Sequence, residues 1–218
     1  MSFDTLAPHY RWMEWLFAGE KLQRCRTAFL PSVPAPSHAL LYGEGNGRFL
    51  SAFCRQFPTA QVTVVDFSAG MIQQARLHLE AAGIDTTNVT FVEANVLEWQ
   101  PPEQAFDLIV TCFFLDCFRE DDLKTLVGHL ARAATPQAHW LQADFQIGGP
   151  LLCRWRSRLT LHFLYFFFRH AARIRATRLT RPESLLAQAG FILQKRRLSD
   201  WRRLGSEWWA RPDAGLPS

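Results

Sequence analysis

Three glycines set two residues apart, Gly43, Gly45 and Gly47, stand between the apolar run LLY and the segment RFLSAF of this 218-residue chain. Such spacing predicts a turn whose backbone comes close to a ligand at a helix start, where the peptide dipoles favour negative charge. A dinucleotide fingerprint asks for GxGxxG, and its third glycine place is held by Arg48, which argues against a nicotinamide dinucleotide. Nineteen residues past Gly47 a second apolar run, QVTVVD, ends in Asp66. A carboxylate at a strand end can accept both hydroxyl hydrogens of a ribose. The triplet and the acid at consecutive strand ends predict a ribose-containing ligand; the alternative is a tight turn with a solvated Asp.

The segment from 151 to 175, LLCRWRSRLTLHFLYFFFRHAARIR, interleaves six arginines with a dense aromatic run. On a helical wheel Arg154, Arg158, His162, Tyr165, Arg169 and Arg173 fall within about 100°, opposite Leu152, Trp155, Leu159, Phe163, Phe166 and Phe167. That basic stripe reads as a cap helix with solvated arginines, as an interfacial helix on an acidic membrane, or as the wall of an apolar substrate pocket carrying an Arg for an acidic group. The five cysteines are odd in number and lack CxxC spacing, so neither a disulfide frame nor a zinc knuckle is expected. Cys112 and Cys117 read as small core residues, since no base has a fixed spacing to either. The seven histidines form no i,i+4 pair, and no metal requirement is expected.

The elements that must position these groups alternate. Apolar runs at His38–Tyr42, Gln61–Asp66, Val89–Glu93, Phe106–Thr111 and His139–Asp144 predict strands. Helices are expected over the first 30 residues with Asp4 as a cap, then over Arg48–Phe57, Ser68–Ala82 and Glu120–Ala134. This order implies βαβ units and a parallel sheet covered on both faces. Farther on, Thr180-Arg-Pro-Glu183 has the form of a capping box for a helix closed by Gly190, and Phe191–Leu198 and Ser206–Ala210 predict two more strands. With 48% hydrophobic and 20% charged residues the chain is too apolar for intrinsic disorder. Its uncharged stretch Thr27–Gly43 contains three prolines and cannot form a transmembrane helix, and no leader is expected in MSFDTLAPHYRWMEW. The net charge of +4 hides an asymmetry: residues 1–150 hold 10 Lys/Arg against 16 Asp/Glu, and residues 151–218 hold 14 against 4. Arginine supplies 21 of the 24 cations, which suits bidentate contact with a negatively charged partner.

At these residues the sequence resembles the Rossmann-like (class I) S-adenosylmethionine-dependent methyltransferases, of the small-molecule or quinone-type branch. The resemblance implies an α/β fold with a mostly parallel seven-stranded sheet, helices on both faces and a helical insertion after the fifth strand. It implies one domain: an N-terminal helical cap (1–30), a cofactor-binding core (38–145), a basic-aromatic insertion (148–180) and a final helix and strands (181–210). In such proteins the glycine turn wraps the methionine part of S-adenosyl-L-methionine and the acid after the second strand holds its ribose, here Gly43, Gly45, Gly47 and Asp66. FVEANV is similar to the motif that binds the adenine, which places Asn95 and Val96 there. FDLIVTCFFL is similar to the motif whose strand end lines the transfer site, so Asp107 to Phe113 fall there, Thr111 on the cofactor side and Phe113 on the acceptor side. FDTLAPHY looks like the element that covers the cofactor, with Tyr10 as the covering aromatic; Phe67 and Met71 complete the shell. The family usually has an acid two residues before the first glycine; that place holds Leu41, with Glu44 inside the turn as the substitute.

Methyl transfer is an in-line displacement in which the protein aligns the nucleophile and excludes water, so no catalytic residue is obligatory. A base for a proton-bearing acceptor would come from Asp116 or Asp144, which follow the fourth and fifth strands; otherwise each is a helix cap or rim acid. His162, Tyr165 and Arg169 would then meet the acceptor. The resulting expectation is a cytoplasmic enzyme that methylates a small, aromatic or lipid-like acceptor, apolar and anionic, with peripheral contact to an acidic membrane surface as a companion role. Two other functions stay open: a noncatalytic S-adenosylmethionine-binding protein, suggested by Leu41, and an RNA-modifying enzyme using the basic tail. Against nucleic acid, TCFF lacks the Asn/Asp-Pro-Pro-aromatic tetrapeptide of base-amino methyltransferases.

Overall fold

Strand β1 (His38–Tyr42) is apolar throughout because both of its faces are covered. Leu40 and Tyr42 point into one core with Ile109, Trp140, Leu123, Leu126 and Leu130, while Ala39 and Leu41 point into the other with Phe49, Phe53, Val64 and Leu108. Each fully buried leucine of this kind stabilises the fold by about 1.5–3 kcal/mol. The structure is a computed structural model that describes residues 19–146, 182–200 and 204–212. Within them the chain runs α1 (Gly19–Arg26), β1, α2 (Arg48–Gln56), β2 (Gln61–Asp66), α3 (Ala69–Ala81), β3 (Val89–Glu93), β4 (Phe106–Cys112), a 3-10 turn (Leu115–Cys117), α4 (Glu120–Ala133), β5 (Ala134–Phe145), α5 (Glu183–Gln188), β6 (Ile192–Ser199) and β7 (Leu204–Ala210).

The seven strands form one sheet in the order β3-β2-β1-β4-β5-β7-β6. β1 to β5 are mutually parallel, whereas β7 runs antiparallel to β5 and β6 antiparallel to β7. The α/β class and the mostly parallel seven-stranded sheet are as expected, and the sheet is mixed at one end. Between β1 and β4 the order reverses direction, which opens a crevice at the carboxyl ends of the parallel strands, the usual ligand position in such sheets. Helix α1 packs against β5 and β7 beside that edge. Among the described residues no helix is long and apolar enough to cross a membrane.

Several boundaries differ from expectation for identifiable reasons. α1 ends at Arg26, and Thr27 to Leu30 continue as turns closed by bonds such as Leu30 N to Thr27 O. β5 begins at Ala134 and runs through Pro136, because the β4–β5 register is irregular between Phe106 and Leu108 and the missing N–H of the proline is not needed there. Thr180 of the expected capping box lies outside the described residues; Pro182 is the N-cap of α5 without a side-chain bond, and the Glu183 carboxylate accepts from Arg196 at 3.3 Å. Asp107 sits at the amino end of β4, where it accepts from the Ser37 and His38 amides at 2.8 and 3.1 Å. A seven-residue strand spans about 20 Å, so Asp107 is at the wrong end to line the transfer site.

Candidate active site

The carboxyl edge is built from four strand ends. After β1, Gly43, Gly45 and Gly47 all take left-handed φ values of 63°, 70° and 84°. At Gly43 a side chain would collide with the Phe114 ring, which is stacked on Tyr42 with centroids 5.8 Å apart. At Gly47 a Cβ would stand 2.8 Å from Ala75 Cα, so the glycine lets α2 and α3 approach each other. The turn thus meets two steric demands of the protein itself in addition to its conformation. Gly47 is the N-cap of α2 and offers no side-chain cap; Glu44 reaches forward instead, its Oε1 accepting from Leu50 N at 2.9 Å. Leu41 is buried in the core beneath.

After β2, the buried Asp66 accepts from the Ser68 amide at 3.0 Å, and Ser68 caps α3 by accepting from Met71 N at 3.2 Å. These bonds fix the carboxylate at the mouth of the crevice. Beside it Phe67 is 54% exposed, while Met71 is buried. After β3, Asn95 is exposed and turns its side chain onto the following loop, accepting from Leu97 N at 3.2 Å and donating to Glu98 at 2.7 Å; Val96 is buried. Thr111 is fully buried one residue before the end of β4, and its hydroxyl accepts from the Trp140 indole at 2.8 Å. Its hydroxyl is therefore engaged in a hydrogen bond within the core.

The exit from β4 is unusual. Phe113 has φ 53°, a left-handed conformation that bulky residues rarely hold. Its amide donates to Ala143 O at 2.7 Å, its ring packs on Phe145 at 4.9 Å, and the buried Arg26 guanidinium lies 5.4 Å over it. This bend feeds the 3-10 turn that places Asp116 against Asp144 at the end of β5. The two carboxyl groups are buried and hydrogen-bonded to each other. Burial pushes Asp116 up to about 6. Burial, then the Asp116 charge, pushes Asp144 well above the carboxylate range, so the pair holds a proton on Asp144 that is donated to Asp116. Cys117 Sγ also donates to Asp116 Oδ1, at 3.6 Å, and the Phe145 amide donates to Asp144 Oδ1 at 3.2 Å.

Thiols near the edge are held protonated. Burial raises Cys25 to about 11 and raises Cys112 and Cys117 as well, so none of them is an activated nucleophile. Tyr10, His162, Tyr165, Arg169 and the whole basic-aromatic segment lie outside the described residues. Sequence reasoning missed Arg26, Gln142 and Tyr42. Gln142 is legible in hindsight, standing two residues before Asp144 and therefore on the same face of the strand; nothing in the local sequence marks Arg26, whose burial depends on α1 docking against the far end of the chain. Among the described residues no group of three or more His, Cys, Asp or Glu could hold a metal ion.

Residues 39–137 match the family described as Methyltransferase domain. Trans-aconitate 2-methyltransferase of Paracidovorax citrulli is 37% identical over 103 residues, which cover 45% of this chain and 37% of that protein. The protein of the same name from Escherichia coli is 31% identical over 130 residues, covering 58% of this chain and 48% of that one. The chain thus spans less than half the length of these curated relatives. Among solved structures, the mitomycin 7-O-methyltransferase MmcR has TM-score 0.68 at 16% identity, covering 97% of this chain and 61% of its own. The 1,6-didemethyltoxoflavin-N1-methyltransferase of Burkholderia thailandensis, solved with its substrate and S-adenosylhomocysteine, has TM-score 0.65 at 19% identity, covering 97% and 86%.

Proposed function

We propose that this chain is a Rossmann-like S-adenosylmethionine-dependent methyltransferase that transfers a methyl group from that cofactor to a small-molecule acceptor. The observation that carries this is the glycine turn and the buried Asp66 at adjacent strand ends, on the edge where the sheet order reverses. These residues fit the cofactor. The left-handed turn leads into α2, whose N-terminal dipole favours a carboxylate. Asp66 is held by the Ser68 amide in position to accept from ribose hydroxyls. Phe67, Asn95 and Val96, which follow β2 and β3, are assigned to the adenine end of the cofactor. Bound cofactor supplies a methyl group already activated on sulfonium sulfur. What remains for the protein is to seat the acceptor in line with that methyl and to keep water out.

The exit from β4 and the end of β5 form the acceptor side. Phe113 and Phe145 give it aromatic surface, which suits a small apolar acceptor, and the arginine-rich sequence of 151–175 suits one that carries negative charge. The basic stripe of 151–175 supports the same acceptor from the sequence, and a companion role at an acidic membrane surface rests on that stripe alone. Trans-aconitate, for which the curated relatives are named, is one small acid to test. Neither a noncatalytic binder nor an RNA-modifying enzyme is favoured, since those relatives carry names of small-acid methyltransferases.

Calorimetry with S-adenosylhomocysteine tests the cofactor site. Losing a charged hydrogen-bond acceptor typically costs about 1.5–3 kcal/mol, so Asp66→Ala should weaken binding by about tenfold or more. Unchanged affinity in that variant, or no binding by the native chain, overturns the reading.

A further inference from the structure

We infer that the Asp116–Asp144 pair is the proton acceptor of the transfer reaction, and that the acceptor molecule therefore presents an O–H or N–H group to it, not a bare carboxylate. This rests on the function proposed above and narrows its acceptor class. The pair lies on the edge where the acceptor must sit, one member past β4 and the other at the end of β5, and both are buried. Burying two carboxyl groups against each other is costly for a fold, and here no lysine or arginine is a recorded ion-pair partner of either among the described residues.

A second observation points to a hydrogen-bond donor at the same place. Gln142 is 4% exposed and shares the strand face of Asp144, with which its side chain is hydrogen-bonded, yet its carbonyl oxygen Oε1 is buried with no partner among the described residues. Two positions along the cross-strand row, Tyr42 Oη is another buried oxygen without a partner; Tyr42 registers with Thr111, and Thr111 with Gln142. Buried amide oxygens are nearly always satisfied, and one left open beside a reaction edge marks where a donor goes. A bare carboxylate brings only acceptors and would stand against an ionised Asp116. A hydroxyl or N–H brings the missing donor.

The step balances within these groups. As the acceptor O–H or N–H bond breaks, its proton passes to the Asp116 carboxylate and its electron pair forms the new bond to the methyl carbon. The electron pair of the broken carbon–sulfur bond stays on sulfur. Asp144 keeps its own proton throughout and acts as a positioning residue, its O–H holding Asp116 in place. Among the described residues the other titratable groups around the pair are Cys117 on the turn, Cys112 at the end of β4, and Cys25 and Arg26 on α1. The three thiols stay protonated over the working range, so the limb of the profile belongs to the pair.

The test uses the full chain with labelled S-adenosylmethionine and two probe acceptors, 4-hydroxybenzoate and trans-aconitate, together with infrared detection of protonated carboxyl groups. General bases contribute about 100-fold or more, so Asp116→Asn should lower kcat on the hydroxyl probe by at least that factor, leave S-adenosylhomocysteine affinity unchanged, and abolish the acid limb of kcat/KM. Asp144→Asn should remove a carboxyl C=O band that the native protein retains at about pH 8, and should shift the acid limb without abolishing it. Gln142→Leu should raise KM for the probe more than it lowers kcat. Transfer to trans-aconitate that survives Asp116→Asn, or a native protein with no protonated carboxyl at about pH 8, overturns the inference while leaving the methyltransferase reading in place. Loss of S-adenosylhomocysteine binding by the native chain would instead strike the underlying reading.

Discussion

Strands β4 and β5 carry polar groups near both ends, and the two ends treat them in opposite ways. At the amino edge Asp107 accepts from two backbone amides, and His139 accepts from the Trp208 indole at 3.1 Å. Every one of these bonds ties one element to another. At the carboxyl edge Asp116 and Asp144 are buried against each other, Gln142 and Tyr42 keep buried oxygens without partners, and Phe113 holds a left-handed backbone. The same strands therefore spend polar groups on stability at one end and hold them in an unfavourable state at the other. The amino edge has one such open oxygen, Thr135 Oγ1, among the described residues, so it is the clustering of unfavourable burial at the carboxyl edge that is the physical mark of a site.

The contrast can be broken most forcefully at the turn. Gly43→Val combines a disfavoured φ with a collision against Phe114, whose ring is wedged between Tyr42 and Phe118. The expected loss is about 3–5 kcal/mol of stability, read by urea unfolding, together with loss of S-adenosylhomocysteine binding. A variant that folds and binds normally would show that the turn has slack.

Asp116→Asn should act in the opposite direction. A carboxyl whose folded pKa is raised to about 6 stabilises the fold below the unfolded value and loses that contribution as pH rises through 6. Removing the charge should then raise stability at about pH 8 by about 2–3 kcal/mol, with the gain vanishing near pH 4. If the variant is less stable than the native protein at both pH values, Asp116 is a structural group like Asp107. The smallest effect is expected at the amino edge: Asp107→Ala should cost about 1–2 kcal/mol by urea unfolding and leave cofactor affinity unchanged.

Much of this architecture was readable before any coordinates. The glycine triplet and the alternation of apolar runs with helices point to the observed sheet, because turn chemistry and periodicity are local properties. Asp116 and Asp144 were singly visible as acids after strand ends, but their meeting depends on β4 and β5 being neighbours, which no local pattern encodes. Asp107 was misplaced for the converse reason: within a strand of uniform apolar character, only the direction of the chain says which end faces the ligand. Thr111 looked available because it stands near a strand end; the face it takes is set by Trp140, 29 residues away. Thr180-x-x-Glu183 matched a cap motif whose acid accepts from Arg196, a residue of the neighbouring strand.

The position of β6 at the outer end of the sheet has a further consequence, for behaviour in concentrated solution. An open strand edge is a template on which a second molecule can add a strand. β6 exposes Ile192 at 52% and Leu198 at 37%, with Lys195, Arg196 and Arg197 between them. Arg196 is partly neutralised by Glu183 and Glu207, which leaves Lys195 and Arg197 to confront their counterparts whenever two copies meet edge to edge. That repulsion is screened over about 10 Å at moderate ionic strength, so self-association through this edge should grow with added salt, and low-salt buffers should keep the chains apart.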